Sequence, residues 1–402
     1  MSKAPEQAAI DYPDSDAGLD QAVNAWRQDP AAADTYRQVI SFRPPSRASD
    51  DVEQITANYR FVRGEHGETI EASLDERHLS LDSPVRLEPV GIPKPWGREL
   101  WYTGMEDRGE SRVSTTGGSL PLSSYLALAP GRLCRRRPLV LLKILDPVIA
   151  PQVGDLYFEV HERKREVYVV THVDPTAWPG GRGAIRLGMS QSRRAAFADD
   201  EAFRQAYLAA AQAYEGVRRR IDDGERLPRE TEDQLREAME SFTNLAPLNV
   251  GDVVTVPPWL PHSLQHGVRV VEFQTPTYER FILSFGQKVL TQNHWDTEAV
   301  LDRIDLDPHR PAPLEQIAPG VQQIADFDDF CAFRVEVAPG ADRPMGLELP
   351  YAVCIGVAGS VCVNGLELGS EEACFVPASG LPLTFANAGN TAAVALVAAA
   401  RP

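Results

Sequence analysis

From Val90 onward the sequence is cut into short runs of β-branched and aromatic residues, each soon closed by Gly or Pro, as in "VGIPKPWGRELWY", "PLVLLKILDP" and "LNVGDVVTVPP". Short apolar runs bounded by turn residues read as strands, and their succession is the signature of an all-β sandwich or barrel. One interruption stands out between Arg193 and Asn244. There "DDEAFRQAYLAAAQAYEGVRRRIDDG" sets Phe203, Tyr207, Ala210 and Tyr214 at helical spacing, and "PRETEDQLREAMESF" offers a second helix. Strand-like sequence resumes directly afterwards, so the pair reads as a helical insertion, about 193–244, inside a β domain. A break near "DLDPHRPAPLEQ" leads into a last stretch of short strands and turns, 311–402.

Residues 1–88 have a different texture. They are rich in Asp, Glu, Ala and Ser, with a helix expected over "LDQAVNAWRQ" and a break at Pro44-Pro45. Their charge density predicts an N-terminal extension that is partly helical or loosely ordered, an arm or oligomer contact rather than a catalytic domain. The formal net charge of −17 argues against a general attraction to nucleic acid or anionic lipid, so an anionic substrate needs a locally basic pocket. The densest basic run is Arg135–Arg137 in "CRRRP", although most such runs are solvated faces. Five cysteines without a CxxC pair predict free thiols and a reducing compartment. With no apolar signal-peptide core at the N-terminus and no run of about 18 apolar residues, the expectation is a cytoplasmic protein without a membrane or nucleic-acid partner.

The run "YFEVHERKREVYVV" carries the chemistry. Strand residues two apart share a face, so Glu159 and His161 point one way while Phe158 and Val160 point the other. "ERKR" can turn the chain and return Glu166 towards them. His262 follows a Gly-Asp turn and a Pro-Pro-Trp corner in "VGDVVTVPPWLPHSL". Two readings of this spacing stand. One is an exposed charged hairpin with solvated side chains and a buried, hydrogen-bonded His262. The other is a set of two imidazoles and two carboxylates suited to zinc, iron or manganese. The Gly, strand, Pro-turn, strand pattern of Val250–Leu264 returns faintly in Leu368–Phe385, where Pro382 stands in the place of His262. The last histidine of the chain is His309, so a second domain of this kind holds no histidine-based metal site.

The order of these motifs resembles the cupin metal motifs and, more closely over residues 89–402, the class I phosphomannose isomerase family. "IPKPWGRELW" is similar to that family's Lys-Pro-Trp-Gly signature, "GESRVS" to its Gly-Glu-x-Trp-x-x-Ser stretch and "PLVLLKILD" to its central lysine-bearing strand. "FEVH" resembles its Gln-Val-His metal strand, "RKREVYVV" its Lys-x-Glu-x-Trp-Tyr-Val strand, and "LNVGDVVTVPPWLPHSLQHGVRVVEFQ" its distal histidine region. The resemblance implies a mainly β, bicupin fold of two β-barrel or jelly-roll domains. These would be a metal-binding cupin domain, 89–310, with the helical insertion, and a cupin-like domain without a metal, 311–402, preceded by the 1–88 extension.

It also implies one divalent metal, zinc before iron or manganese, on Glu159, His161, Glu166 and His262. Lys143, Lys164, Glu272 and Arg280 become polar pocket residues, with Glu272 the first candidate for the catalytic base and Arg280 for enediolate stabilisation or substrate binding. Lys94 and Trp96 become candidate substrate contacts, with packing on the barrel as the other reading of Trp96. The implied activity is aldose-ketose isomerisation of a sugar phosphate, most simply mannose 6-phosphate to fructose 6-phosphate through a cis-enediol. The competing readings are a non-catalytic metal-binding cupin acting as sugar sensor or scaffold, and a cupin enzyme of another kind, such as an oxygenase or an isomerase of another sugar. The chain departs from the family pattern at Glu159, where the family has Gln, at the short connection from His161 to Glu166, at Arg112 in place of Trp, and in its N-terminal arm.

Overall fold

The computed structural model describes residues 12–29, 31–44, 52–64, 67–311 and 313–401. Residues 1–11, the stretch without a signal-peptide core, and Pro45 of the Pro-Pro break lie outside the described residues. The molecule is built mainly of strands in antiparallel sheets. Among the described residues no helix is long and apolar enough to cross a membrane, and all five cysteines are free thiols.

The chain divides into two compact units. One holds Pro93–Glu99 and Ile144–Pro313, and the other the described parts of Pro5–Ile92, Leu100–Lys143 and Leu314–Pro402. The sequence suggests boundaries at 88 and 310, whereas the compact units are discontinuous along the chain and divide within the strands Val90–Lys94, Gly97–Trp101 and Leu141–Pro147.

The first unit contains a five-stranded sheet, in the order Thr243–Leu248, Gly183–Met189, His262–Leu264, Phe158–Val160, Phe281–Ser284. A six-stranded sheet runs in the order Val253–Val256, Glu166–Val173, Val268–Gln274, Leu141–Pro147, Gly97–Trp101, Val90–Lys94. Side chains from both sheets, including Tyr168, Val170, Val254, Ile185 and Leu264, share one apolar cluster, as strand alternation requires when two sheets bury a common core. Gly97 of "PWGR" is fixed by close approach. Its φ is +148° and a Cβ there would lie 2.3 Å from the Asp146 carbonyl oxygen.

The other parity of the five-stranded sheet packs on the helical insertion. Phe158, Val160, Met189 and Leu283 join Phe203, Tyr207, Tyr214, Met239 and Phe242 in a second cluster. The insertion comprises helices Asp200–Asp222 and Arg229–Glu240 and ends at the strand Thr243–Leu248. Its buried stripe is Phe203, Tyr207, Ala211, Tyr214 and Val217, with Ala210 partly buried against the same cluster. With Phe158 and Val160 turned to the helices, Glu159 is left for the opposite face of the sheet.

In the second unit, the helix Asp16–Gln28 lies where the sequence places one. Beyond it the chain forms a sheet in place of the expected loosely ordered arm. Thr35–Phe42, Glu53–Gly64, Gly67–Leu74 and Arg77–Ser80 make a four-stranded antiparallel meander whose inward residues include Ile40, Tyr59, Phe61, Ile70 and Leu74. Val85–Glu88 pairs with Ala373–Val376 in a nine-stranded sheet that carries most of the C-terminal strands. Arg136 of the basic run is engaged by Asp16 at 3.0 Å and Asp14 at 3.3 Å, a structural use of that charge.

Candidate metal centre

Glu159 sits at the middle of Phe158–Val160, directly opposite His262 in antiparallel register. His161 lies one residue past the strand, and its carbonyl accepts the Trp259 amide at 2.7 Å. Trp259 adopts a left-handed conformation, φ 64°, which a bulky side chain takes only when its surroundings demand it. Those surroundings are the His161 carbonyl, the Asp305 amide on the Trp259 carbonyl at 3.0 Å, the Phe281 ring and the Arg303 guanidinium at 4.1 Å. The short turn to Glu166 is pinned from outside. Glu279 Oε1 accepts the amides of Glu162 and of Arg163, the latter at 2.9 Å. Arg165 and Thr275 exchange bonds at 3.0 Å through the Thr275 hydroxyl and backbone.

Donor atoms of Glu159, His161 and His262 all lie within 4.8 Å of one another. His161 and His262 are 1% and 2% exposed. Glu166, 1% exposed, is close to both rings, with Oε1 3.4 Å from His161 Nε2 and Oε2 3.1 Å from His262 Nε2. Its oxygens are also engaged by Lys164 Nζ at 2.5 Å and by the Tyr168 hydroxyl at 2.5 Å. His262 Nδ1 donates to the Leu260 carbonyl at 3.0 Å, which directs Nε2 towards Glu166 and the cluster.

The electrostatics follow from this packing. Burial alone would raise the Glu166 carboxyl, but the Lys164 ammonium and the imidazoles hold it well below the carboxylate range. Burial would likewise lower Lys164, and the carboxylates of Glu166, Glu159 and Glu272 overcome that and raise it. Burial, with Lys164 adding to it, depresses His161. His262 is raised, because Glu166 outweighs its burial.

The residues fit a divalent cation. Glu159 Oε2 and His161 Nδ1 are buried without a hydrogen-bond partner, and the Nε2 atoms of His161 and His262 face Glu166 oxygens at 3.4 and 3.1 Å, an arrangement of converging buried donors that is costly unless something binds there. Two imidazoles with carboxylate oxygen form a borderline-hard donor set.

The remaining expected residues have varied surroundings. Glu272, 2% exposed, stands opposite Tyr168 in register, and its charge is felt at Lys164. The Arg280 guanidinium lies 4.4 Å from the Tyr157 ring centroid and donates to the Thr291 hydroxyl at 2.9 Å. Burial would lower Arg280, yet it is raised, chiefly by Glu159. Lys94 pairs with the buried Glu99 at 3.1 Å. Trp96, 1% exposed, belongs to the apolar core of its unit, in keeping with the packing reading of that residue. Lys143 is buried with its ammonium 5.5 Å from the Trp101 ring centroid, and it falls in the other compact unit. Tyr168, Trp259 and Glu279 are additions. Tyr168 carries a legible signal, since Lys164, Glu166 and Tyr168 fall at alternate positions.

The sequence matches no family model and no curated protein. Solved structures do match. A variant of phosphomannose isomerase from Salmonella typhimurium aligns with a TM-score of 0.59 at 14% identity, over 80% of this chain and 100% of that one. Mannose 6-phosphate isomerase from Bacillus subtilis gives 0.56 at 13%, over 79% and 99%. A zinc-bound mannose 6-phosphate isomerase gives 0.60 at 14%, over 80% and 100%. At these identities the likeness is one of fold, and the chain has a β-rich fold like that of the phosphomannose isomerases.

Proposed function

We propose that the protein is a cytoplasmic, metal-dependent aldose-ketose isomerase of a hexose phosphate, most simply mannose 6-phosphate to fructose 6-phosphate, on a bicupin scaffold. The observation that carries this reading is the buried convergence of Glu159, His161 and His262, with unpartnered donor atoms, on a fold shared with sugar-phosphate isomerases. Glu159, His161 and His262 would hold a divalent cation, zinc first, with Glu166 beside them. When bound, such a cation supplies Lewis acidity to the adjacent oxygens of a hydroxy-carbonyl sugar.

The protein's own groups then have defined tasks. Glu272 takes the proton from C2 of the aldose and returns it to C1, a transfer that a buried carboxylate on the strand beside Glu166–Val173 is suited to make. Arg280 and Lys164 offset negative charge on the enediolate oxygens, and the apolar wall around Tyr157 and Phe285 excludes water. Lys94 is assigned to the rim.

The test is purified full-length protein assayed with mannose 6-phosphate before and after chelation, alongside metal analysis. Turnover should vanish on chelation and return with Zn²⁺. Glu272→Gln should lower kcat by about 100-fold or more at unchanged metal content. Bound metal with no turnover on any hexose phosphate would retire the isomerase and leave a metal-binding cupin.

A further inference from the structure

We infer that Tyr157 is a positioning residue of the site: with Tyr278 it holds the Arg280 guanidinium against ring faces, so that the cation meets negative charge developing on a substrate oxygen without a counter-charge of its own. The inference rests on the isomerase reading and deepens it. Tyr157 and Glu159 alternate about Phe158, which is turned to the helical insertion, so the Tyr157 ring shares the face of Glu159. Tyr157 accordingly belongs to the apolar cluster of Tyr168 and Val170, and it is 6% exposed. The Arg280 guanidinium stands 4.4 Å from the Tyr157 ring centroid and 5.9 Å from that of Tyr278. The Tyr157 ring is itself packed on Phe285, with their centroids 4.0 Å apart.

The partners of this arginine differ from those of its neighbours. Arg186 and Arg218 of the same compact unit are each neutralised by a carboxylate at 2.6 Å, Glu240 and Glu232 respectively. Arg280 instead donates to a neutral hydroxyl, Thr291 Oγ1 at 2.9 Å, and among the described residues no carboxylate forms an ion pair with it. A ring face attracts a cation through its quadrupole and leaves the positive charge uncompensated. Glu159 is the charge that acts on Arg280 most strongly, which places the guanidinium near the candidate metal centre. A hydroxy-carbonyl sugar gains negative charge on its oxygens only as the proton leaves carbon. An uncompensated cation beside them therefore favours the enediolate over the ground state.

The test uses full-length, Zn²⁺-loaded protein and mannose 6-phosphate, with the reactivity of Arg280 towards phenylglyoxal, mapped by mass spectrometry, as a second readout. Tyr157→Leu should lower kcat by about 10-fold with KM within about 2-fold of wild type, and the conservative Tyr157→Phe, which keeps the ring, should recover kcat. Arg280 should be modified about 5-fold faster in Tyr157→Leu and at the wild-type rate in Tyr157→Phe, the scale of one lost ring contact. Circular dichroism and Tm establish that each variant is folded, and Tyr278→Leu against Tyr278→Phe makes the same comparison if Tyr157→Leu does not fold. A kcat loss as large in Tyr157→Phe as in Tyr157→Leu would overturn the role given to the ring. A raised KM at unchanged kcat would overturn the assignment to developing charge. Equal modification rates in wild type and Tyr157→Leu would overturn the ring contact itself. Wild-type protein without turnover would retire the isomerase reading, and the modification rates would then uphold or overturn the ring contact by themselves.

Discussion

Glu279 is 6% exposed and gives its carboxylate to the backbone amides of Glu162 and Arg163, at the turn that carries His161 towards Glu166. Glu279→Ala leaves those amides without their acceptor, which should cost about 1–3 kcal/mol in a denaturant melt. It should also weaken Zn²⁺ binding by about 10-fold, because His161 and Lys164 flank the loosened turn. Glu279→Gln keeps an acceptor and should lose less of both. A Glu279→Ala protein with wild-type stability and affinity would reject this account. Nothing local in the sequence marks Glu279, since it acts on backbone more than a hundred residues away. The alternation of Glu159 with His161 and of Glu166 with Tyr168 is visible locally because strand geometry writes it into every second position.

A second residue-scale prediction concerns acid. Asp155 accepts the His266 ring nitrogen at 2.7 Å and the His266 amide at 3.0 Å. Burial would raise its carboxyl, but these bonds hold it below the ordinary 3.8. A folded-state value below the unfolded one means that the stabilisation is complete above about pH 4 and is lost as pH falls through the depressed value. Asp155→Asn should therefore flatten the acid limb of a stability-versus-pH curve. An unchanged slope in the variant would exclude Asp155 as its source.

At the scale of elements, the helix Asp200–Asp222 offers a stability test that leaves the metal centre alone. Gly216 is exposed in its interior, and a Cβ added there meets nothing within 4 Å. Gly216→Ala should raise stability by about 0.5–1 kcal/mol through helix propensity, with Zn²⁺ affinity unchanged. The opposite face is committed. Phe203→Ala should cost about 3–5 kcal/mol, since Phe203 is fully buried against Phe197 and Phe242. This insertion was legible because a helix that covers a sheet must repeat its apolar residues at three and four. The meander from Thr35 to Ser80 was not. Each of its strands buries one face, so Ile40, Tyr59 and Ile70 alternate with outward Arg, Gln and Glu, and the averaged composition reads as a charged arm. Only the period-2 pattern, weighed residue by residue, distinguishes such a sheet from a solvated segment.

For the whole molecule, the two compact units predict where metal binding is felt. Glu159, His161, Glu166 and His262 all belong to the unit formed by Pro93–Glu99 and Ile144–Pro313. A ligand that binds only the folded state stabilises it by about 2.7 kcal/mol at 100 times Kd, equivalent to about 100-fold slower exchange for amides that exchange through opening of that unit. Addition of Zn²⁺ should slow hydrogen exchange in Glu166–Val173 and Val268–Gln274. It should leave Ala352–Ala358 and Ala393–Ala400 unchanged, because their ladders lie in the other unit. Chelation should reverse the effect, and His161→Ala should abolish it at the same Zn²⁺ concentration. Equal protection across all four strands would mean that the units open together and that the ion stabilises the chain as one cooperative body. Protection confined to Ala352–Ala358 and Ala393–Ala400 would place the ion elsewhere altogether.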